Sequence, residues 1–398
     1  MRFKLSFGPA VLVTAAFIGP GTITLCILAG VNHGMSLLWA MLLSVIITIF
    51  IQNTAARIAW TTRKGLAKSV LNHTTHPFTK TALGILLVSA IFVGNAAYEA
   101  GNLTGALIGL KGILQMESLS LTGTFDWFPI VLGGGVASLF FFGSFKFLKS
   151  SLVVVVALMS VSFILTALMT KPALIDIFKG LFIPTFQSDD ILTIVGLLGT
   201  TVVPYNLFLH SAMVAQLPNT SLDQLRTDTF IAVGLGGIVS LCIIISAAAL
   251  EGTSLANASD LGQSLVLLYG SAAPILMSFG FFAAGLTSAL TAPMAAAFVV
   301  CECLNQQEQS FIYKTTALIV LIVGVVFNSV GFVPIEIIRF AQIANGILLP
   351  LIGLILIFMV NNKRLMRGAT PNKLQNSVFV IIELFFIFLG IKSFGLIF

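Results

Sequence analysis

The chain has 398 residues, of which 58% are hydrophobic and only 9% are charged, and its mean hydropathy is +1.07. This composition excludes a soluble globular protein and indicates a polytopic membrane protein with almost no mass outside the bilayer. The formal net charge of +6 would favour nucleic acid as a partner of a soluble domain. Here the basic residues lie mostly in alternate loops, so the lipid bilayer is the expected partner and nucleic acid is not.

The hydrophobic segments predict an all-α integral membrane protein with about eleven transmembrane helices, at roughly 20 apolar residues for each crossing. The predicted spans cover residues 9–31, 37–59, 81–110, 128–146, 150–170, 191–215, 228–250, 273–303, 311–333, 335–361 and 376–397. The longest connections, residues 60–80, 111–127, 171–190 and 251–272, are predicted to be short surface loops.

Basic residues concentrate before the first span and in every second loop after it, which predicts that these segments are cytoplasmic. They are Arg2, Lys4, Arg57, Arg63, Lys64, Lys68, Lys80, Lys146, Lys149, Lys363, Arg364, Arg367 and Lys373. With an odd number of spans, we expect a multi-pass protein of the cell membrane with its amino terminus inside and its carboxyl terminus outside. No removable signal peptide is predicted.

Two spans are interrupted by proline at matching depths. The first contains Gly19-Pro20-Gly21-Thr22, and the sixth contains residues 200–206, which read Thr-Thr-Val-Val-Pro-Tyr-Asn. In lipid, a helix is broken only where the freed backbone groups line a cavity or bind a solute. Paired breaks are typical of transporters built from inverted repeats, which bind substrate between the half-helices. We therefore predict a single transporter domain, with repeats at 1–175 and 176–362 and an additional helix at 363–398.

Several further motifs occur in the same order as in a known family. They are Gly8-Pro9-Ala10, Ala29-Gly30, Leu37-Leu38-Trp39, Gln52 with Ala55-Ala56-Arg57, and residues 206–211, Asn-Leu-Phe-Leu-His-Ser. On these residues the chain resembles the Nramp family of proton-coupled divalent metal transporters. The resemblance covers nearly the whole chain and implies the LeuT-type fold, a 5+5 inverted repeat with broken helices 1 and 6.

The residues that bind metal in that family are the ones that differ here. The family's first break reads Asp-Pro-Gly-Asn where this chain has Gly19-Pro20-Gly21-Thr22, and its second reads Met-Pro-His where this chain has Val203-Pro204-Tyr205. A dication about 4 Å from a carboxylate gains roughly 8 kcal/mol at an effective dielectric constant near 20. Since that charge and the soft donors are missing, we expect no resident metal site and no cofactor.

The altered breaks instead present hydrogen-bond donors and the positive end of a half-helix, which is an anion-binding arrangement. We expect the substrate to contact the residues at both breaks, Gly19, Pro20, Gly21, Thr22, Thr200, Thr201, Val203 and Tyr205. A small anion, with bicarbonate first, is the favoured hypothesis. A divergent Mg²⁺ or Mn²⁺ transporter and a transporter of a neutral or zwitterionic solute are the alternatives. The threonines could also simply bond their own helix carbonyls.

Polar side chains inside other spans are candidates for coupling and gating. The family has an Asp followed three residues later by a Glu on its proton route, and Glu99 and Asn102 occupy the matching positions. With His210, they form the predicted coupling path for H⁺ or Na⁺; a bonded structural role is the alternative for Glu99 and for His210. Asn206, Gln342 and Asn345 are predicted gating residues.

Other function classes fit the sequence less well. There is no nucleotide-binding motif and no catalytic constellation, so we do not expect an enzyme or a pump. A signalling protein with an Nramp-like membrane domain would need an output domain, and none is expected here. The sequence makes no prediction of the oligomeric state.

Overall fold

A computed structural model describes residues 18–74, 76–116, 126–142, 145–185, 190–217, 220–253, 258–307, 310–330 and 332–397, and every regular element in this part of the chain is helical. The helices are α1 (Pro20–His33), α2 (Leu38–Thr62), α3 (Leu66–His73), α4 (Pro77–Ile113), α5 (Phe128–Phe142), α6 (Phe145–Met169), α7 (Leu174–Phe182), α8 (Ile191–Thr201), α9 (Pro204–Ala215), α10 (Leu222–Ala248), α11 (Ala258–Gly262), α12 (Val266–Tyr269), α13 (Ala273–Leu304), α14 (Phe311–Ser329), α15 (Pro334–Asn361), α16 (Lys363–Met366) and α17 (Lys373–Ile397). Two 3₁₀ turns, Gln263–Leu265 and Gly270–Ala272, flank α12.

The helices account for the predicted spans. Nine segments of the described chain are long and apolar enough to cross a membrane, one of them formed by α8 and α9 together, and Phe128–Phe141 is a shorter apolar helix. The first predicted span is represented by α1, and its residues 9–17 lie outside the described residues, as does Gly8-Pro9-Ala10. The all-helical, multi-pass fold class is confirmed. The boundaries of the two repeats remain a prediction.

Three of the four long connections contain helices, although the sequence predicted plain surface loops. They hold α3, α7, and α11 with α12. In α7 only Gly180 is buried, while Leu174, Phe178 and Phe182 are exposed. Such short amphipathic helices are typical of segments that lie in a membrane interface. These helices are far too short to cross the bilayer, so the length of apolar stretches in the sequence does not predict them.

Both proline breaks begin a new helix. Pro20 and Pro204 occupy the first positions of α1 and α9, where the fixed φ of proline suits the helix and its missing N–H is not needed. The residue before each proline is extended, with φ −95° and ψ 178° at Gly19 and φ −82° and ψ 116° at Val203. This is the conformation that a following proline favours, so each break follows from local sequence.

Helix α15 crosses α8 with almost no side chain between the two backbones. A Cβ atom built on Gly199 would collide with the carbonyl oxygen of Gln342 and would lie 2.8 Å from the amide nitrogen of Gly346. Glycine at such a crossing is the usual means of close helix approach in membranes. The contact places Gln342, in the first third of α15, directly beside the end of α8.

We predict that Gly199→Ala destabilises the protein, because the new methyl group meets backbone atoms that cannot rotate away. Overpacking of this kind costs about 1–3 kcal/mol. Gly234→Ala in α10 is the matched control, since no atom lies within 4 Å of its built Cβ, and alanine there should be neutral or slightly stabilising. Thermal unfolding of the purified protein in detergent measures both. Equal melting temperatures for the two variants would contradict the close crossing.

Candidate functional site

The first break is a buried helix start without a side-chain cap. Gly19, Pro20, Gly21 and Thr22 are all buried, and Gly19 provides no capping hydrogen bond. The Ile23 amide donates to the carbonyl of Gly19 at 3.2 Å, which closes the first turn. The positive end of the α1 dipole, about half an elementary charge, therefore lies at this break. Pro20 itself packs onto α4 at Gly105, where a Cβ would collide with the proline ring.

The second break frees a carbonyl group. Val202 closes α8 by donating its amide to the carbonyl of Leu198 at 2.8 Å, and α9 starts with the Asn206 amide donating to the carbonyl of Val203 at 3.1 Å. Because Pro204 has no N–H, the carbonyl of Thr200 lacks the donor that a continuous helix would supply four residues later. This break therefore offers an acceptor oxygen.

The hydroxyl groups of Thr200 and Thr201 bond carbonyls of their own helix. Thr200 Oγ1 donates to the carbonyl of Leu197 at 2.9 Å, and Thr201 Oγ1 donates to the carbonyl of Leu198 at 3.0 Å. The Thr201 hydroxyl also contacts the Ser44 hydroxyl of α2. These hydroxyl hydrogens are therefore occupied, and what remains for a ligand is mainly the lone pairs of the oxygens.

Gln342 and Asn345 bring amide groups from α15 to the core of the bundle. A Cβ built on Gly21 would collide with the side-chain amide of Gln342, so this amide lies against the backbone of the first break. Gln342 Oε1 is buried and has no hydrogen-bond partner among the described residues. Asn345 Oδ1 lies 3.4 Å from the position of a Cβ on Gly94 of α4. Gln342 thus contacts both broken helices, α1 through its side-chain amide and α8 through its backbone carbonyl.

Val203 and Tyr205 of the second break face α4 and α13. Together with Tyr98, Ala292 and Ala295 they form a small buried cluster. The rings of Tyr98 and Tyr205 meet edge to face, with centroids 5.3 Å apart. Tyr205 therefore connects the second break to α4 at Tyr98, the residue before Glu99.

Buried polar groups without partners lie beside the breaks. Glu99 is fully buried against Gly324 of α14, and neither carboxyl oxygen makes a hydrogen bond within the described residues, although Asn102 lies beside it. His210 is fully buried as well, and both ring nitrogens lack a described partner, as do both amide atoms of Asn206. Buried polar groups are normally bonded to protein or water, so these residues favour a path for ions or protons.

Two polar residues near this path were not predicted from the sequence. The side-chain oxygen of Asn328 in α14 accepts a hydrogen bond from Thr104 Oγ1 at 2.7 Å, and its amide nitrogen donates to the carbonyl of Ala100 at 3.0 Å. Ala100 directly follows Glu99. Ser44 contacts Thr201 as described above. Ser44 and Asn328 each lie in a predicted span, and polarity inside a span was the signal that could have identified them.

The two ends of the broken helices are held by different contacts. At the end that the basic residues predict to be cytoplasmic, the inner end, the amide of Leu66 in α3 donates to Ser211 Oγ of α9 at 3.0 Å, and Arg63 Nη1 donates to the carbonyl of Leu217 at 2.7 Å. At the outer end, His33 Nδ1 lies 3.0 Å from Asp190 Oδ1, which joins α1 to α8. A cavity of about 190 Å³ lies between α1, α8 and α15 on this outer side.

The comparisons with known proteins decide the family. The family model described as natural resistance-associated macrophage protein-like, or Nramp, matches residues 10–395. The chain belongs to the Nramp family. This Nramp member is 25% identical over 391 residues to the metal transporter nramp1 homolog of Dictyostelium discoideum, covering 94% of the chain and 71% of that protein. It is also 25% identical over 378 residues to the divalent metal cation transporter MntH of Bacillus subtilis strain 168, covering 90% and 84%.

Solved transporter structures share the fold of this Nramp member. The Eremococcus coleocola manganese transporter matches with a TM-score of 0.77 at 17% identity, covering 99% of this chain and 88% of that one. Mhp1, a nucleobase-cation-symport-1 family transporter, matches with a TM-score of 0.57, covering 98% and 91%. These likenesses confirm the predicted LeuT-type transporter fold. At this identity they show the fold alone.

We predict that Gly21→Ala impairs transport without unfolding this Nramp protein. The added methyl group meets the movable amide end of Gln342, which can rotate away, so the melting temperature should stay close to that of the wild type. The displaced amide can no longer provide a ligand at the first break, so ion flux should fall as far as it does in Gln342→Ala. The double variant should lose no more than either single one, because residues in contact are non-additive. Additive losses of flux, measured in proteoliposomes with Mg²⁺, Mn²⁺ and bicarbonate, would contradict the shared role.

Proposed function

We propose that this Nramp-family protein is a secondary transporter in the cell membrane that carries a hard divalent cation, Mg²⁺ first and Mn²⁺ second, with part of its hydration shell. The observation that carries the proposal is Glu99. It is a fully buried carboxyl group that follows Tyr98, whose ring meets that of Tyr205 at the second break, and it forms no ion pair with any described residue. The sequence alone favoured a small anion, and the proposal replaces that preference.

The charge of the pocket supports a cation. An ionised Glu99 would add to the cost of bringing a second negative charge into a site from which water is excluded. At an effective dielectric constant near 20, a dication about 8 Å from any carboxylate gains about 4 kcal/mol. This energy is about half of the gain from a carboxylate at 4 Å, such as the family's aspartate at the first break. A weaker attraction favours an ion that keeps part of its hydration shell.

The available ligands are oxygen atoms. The carbonyl of Thr200 and the unpartnered Oε1 of Gln342 are suited to such an ion. Mg²⁺ keeps several waters and needs few direct protein ligands. Transition-metal selectivity normally uses imidazole or sulfur, and the described residues contain no group of three or more His, Cys, Asp or Glu side chains that could hold a metal ion. The divalent metal cation transporters among the relatives support the same class of substrate.

A small anion, with bicarbonate first, remains the second candidate because of two observations. The uncapped start of α1 presents a positive dipole at the first break. At the inner end, a cavity of about 550 Å³ is lined by Arg63, Lys64 and Lys68, with Glu302 as its acidic residue. A neutral or zwitterionic solute would need neither the buried carboxyl group nor this basic opening.

The mechanism follows from the two breaks. Movement of the broken helices relative to α4, α13 and α14 would expose the site to each side in turn, and the break residues would absorb the change in backbone angles. The bond between Leu66 and Ser211 is proposed to hold the inner side closed and to open for release. Glu99 is proposed to exchange a proton or cation in each cycle, together with Asn102 and His210. The amino terminus is proposed to lie in the cytoplasm.

We predict saturable Mg²⁺ uptake by proteoliposomes that contain the purified protein. Mn²⁺ should compete more weakly than Mg²⁺, and bicarbonate flux should not exceed that of protein-free liposomes, because the buried Glu99 opposes an anion. Uptake is measured with a Mg²⁺-sensitive dye and with labelled bicarbonate, with and without pH and Na⁺ gradients. Bicarbonate movement without any Mg²⁺ or Mn²⁺ flux would refute the cation and favour the second candidate.

We predict that Glu99→Gln abolishes concentrative uptake while the protein remains folded. Glutamine keeps the size of the side chain but cannot exchange a proton, so a coupled gradient no longer drives accumulation. Asp176→Asn is the control, since Asp176 is an exposed acidic residue in the first turn of α7, and its uptake should be unchanged. The measurement is Mg²⁺ accumulation against its gradient together with internal pH. Accumulation by Glu99→Gln equal to that of the wild type would remove Glu99 from the coupling path.

A further inference from the structure

A groove at the inner end of the bundle lies away from the transport site. It has a volume of about 600 Å³ and is bounded by α2, the start of α10 and the start of α17. The side chains of Arg57 and Arg226 line it. The hydrogen bond from Arg57 Nη1 to Gln375 Oε1, at 3.4 Å, joins α2 to α17 along one side.

We propose that this groove binds one anionic phospholipid, with its phosphate on Arg57 and Arg226 and an acyl chain along α2. Because the distribution of basic residues predicts that this end is cytoplasmic, the lipid would come from the cytoplasmic leaflet. The inference does not depend on which ion the protein carries.

The two guanidinium groups provide the charge for a phosphate. Arg57 is only 9% exposed and makes no ion pair with a described residue, its neighbour being the neutral Gln375. Arg226 pairs with Asp223 at 3.1 Å, but that aspartate is 88% exposed and such a surface pair is weak. Two like charges that share a groove repel each other, and a phosphate between them would replace repulsion with charge-assisted hydrogen bonds.

The rest of the groove matches an acyl chain in composition and length. Below Arg57 it is lined by Ile46, Ile49 and Phe50 of α2 and by Phe230 of α10. Ile46 and Phe230 are 55% and 63% exposed, so an apolar surface faces the outside of the bundle. Ile46 lies about 16 Å along the helix from Arg57. This is close to the thickness of one leaflet of the hydrocarbon core, about 15 Å.

One additional polar group lies at the upper part of the groove. Asn53 Oδ1 is buried and has no hydrogen-bond partner among the described residues. It lies one turn before Arg57 on α2, at the depth expected for the glycerol and ester region of a phospholipid. A soluble phosphate would use the arginines but would leave Asn53 and the apolar wall without a role, so a lipid accounts for more of the groove.

Native mass spectrometry of the full-length protein tests the proposal. The protein is released from detergent to which phosphatidylglycerol and phosphatidylcholine have both been added. It should retain one molecule of phosphatidylglycerol in preference to phosphatidylcholine. Arg57→Gln with Arg226→Gln should lower the fraction that retains phosphatidylglycerol by about tenfold. Arg364→Gln, which removes an exposed arginine at the same end, is the control and should retain as much as the wild type. If the double variant does not fold, Arg226→Gln alone, a change at a half-exposed surface position, should still lower retention measurably.

Two further measurements separate the sources of the phosphate. Glycerol 1-phosphate, which has the headgroup chemistry without chains, should not compete with phosphatidylglycerol, and Ile46→Asn should weaken retention of long-chain but not short-chain phosphatidylglycerol. Equal retention of phosphatidylcholine, an equal loss in Arg364→Gln, or full competition by glycerol 1-phosphate would each overturn the lipid site.

Discussion

The absence of water in the hydrocarbon core is the constraint on which the site depends. A backbone carbonyl or amide that loses its helical partner there must find another. Pro20 and Pro204 impose such losses at the starts of α1 and α9, where the structure buries both breaks in protein. Breaks of this kind are tolerated where the freed groups find partners in protein or line a cavity, which is why this part of the bundle, and not the larger cavities, is the candidate site.

Close packing of backbones converts the two local breaks into one site. Gly199 allows α15 to touch α8, and Gly21 allows the amide of Gln342 to lie against the first break. The two glycines differ in what they face, since Gly199 meets a rigid backbone and Gly21 meets a movable side chain. The first contact therefore supports the fold, whereas the second can change during a transport cycle.

The hydrogen bonds of the threonine hydroxyl groups at the second break weaken the case for an anionic substrate. The anion hypothesis required the threonine hydroxyls at the second break to donate to a ligand. In the structure those of Thr200 and Thr201 donate to carbonyls of α8, so these two hydroxyl hydrogens are not available to an anion. Glu99 is buried without a described ion-pair partner, and burial favours its protonated form, so it would stabilise a cation in the pocket by giving up its proton.

The sequence by itself determined the membrane class, the positions of the spans and the two breaks, because apolar length and proline act locally. It did not reveal α3 and α7, which are too short to register as spans, and it left the pairing of Gln342 with Gly21 and of Ser44 with Thr201 undetected. Only the tertiary structure decided these pairings, and the isolation of Glu99, because they join residues far apart in the chain whose proximity depends on helix packing.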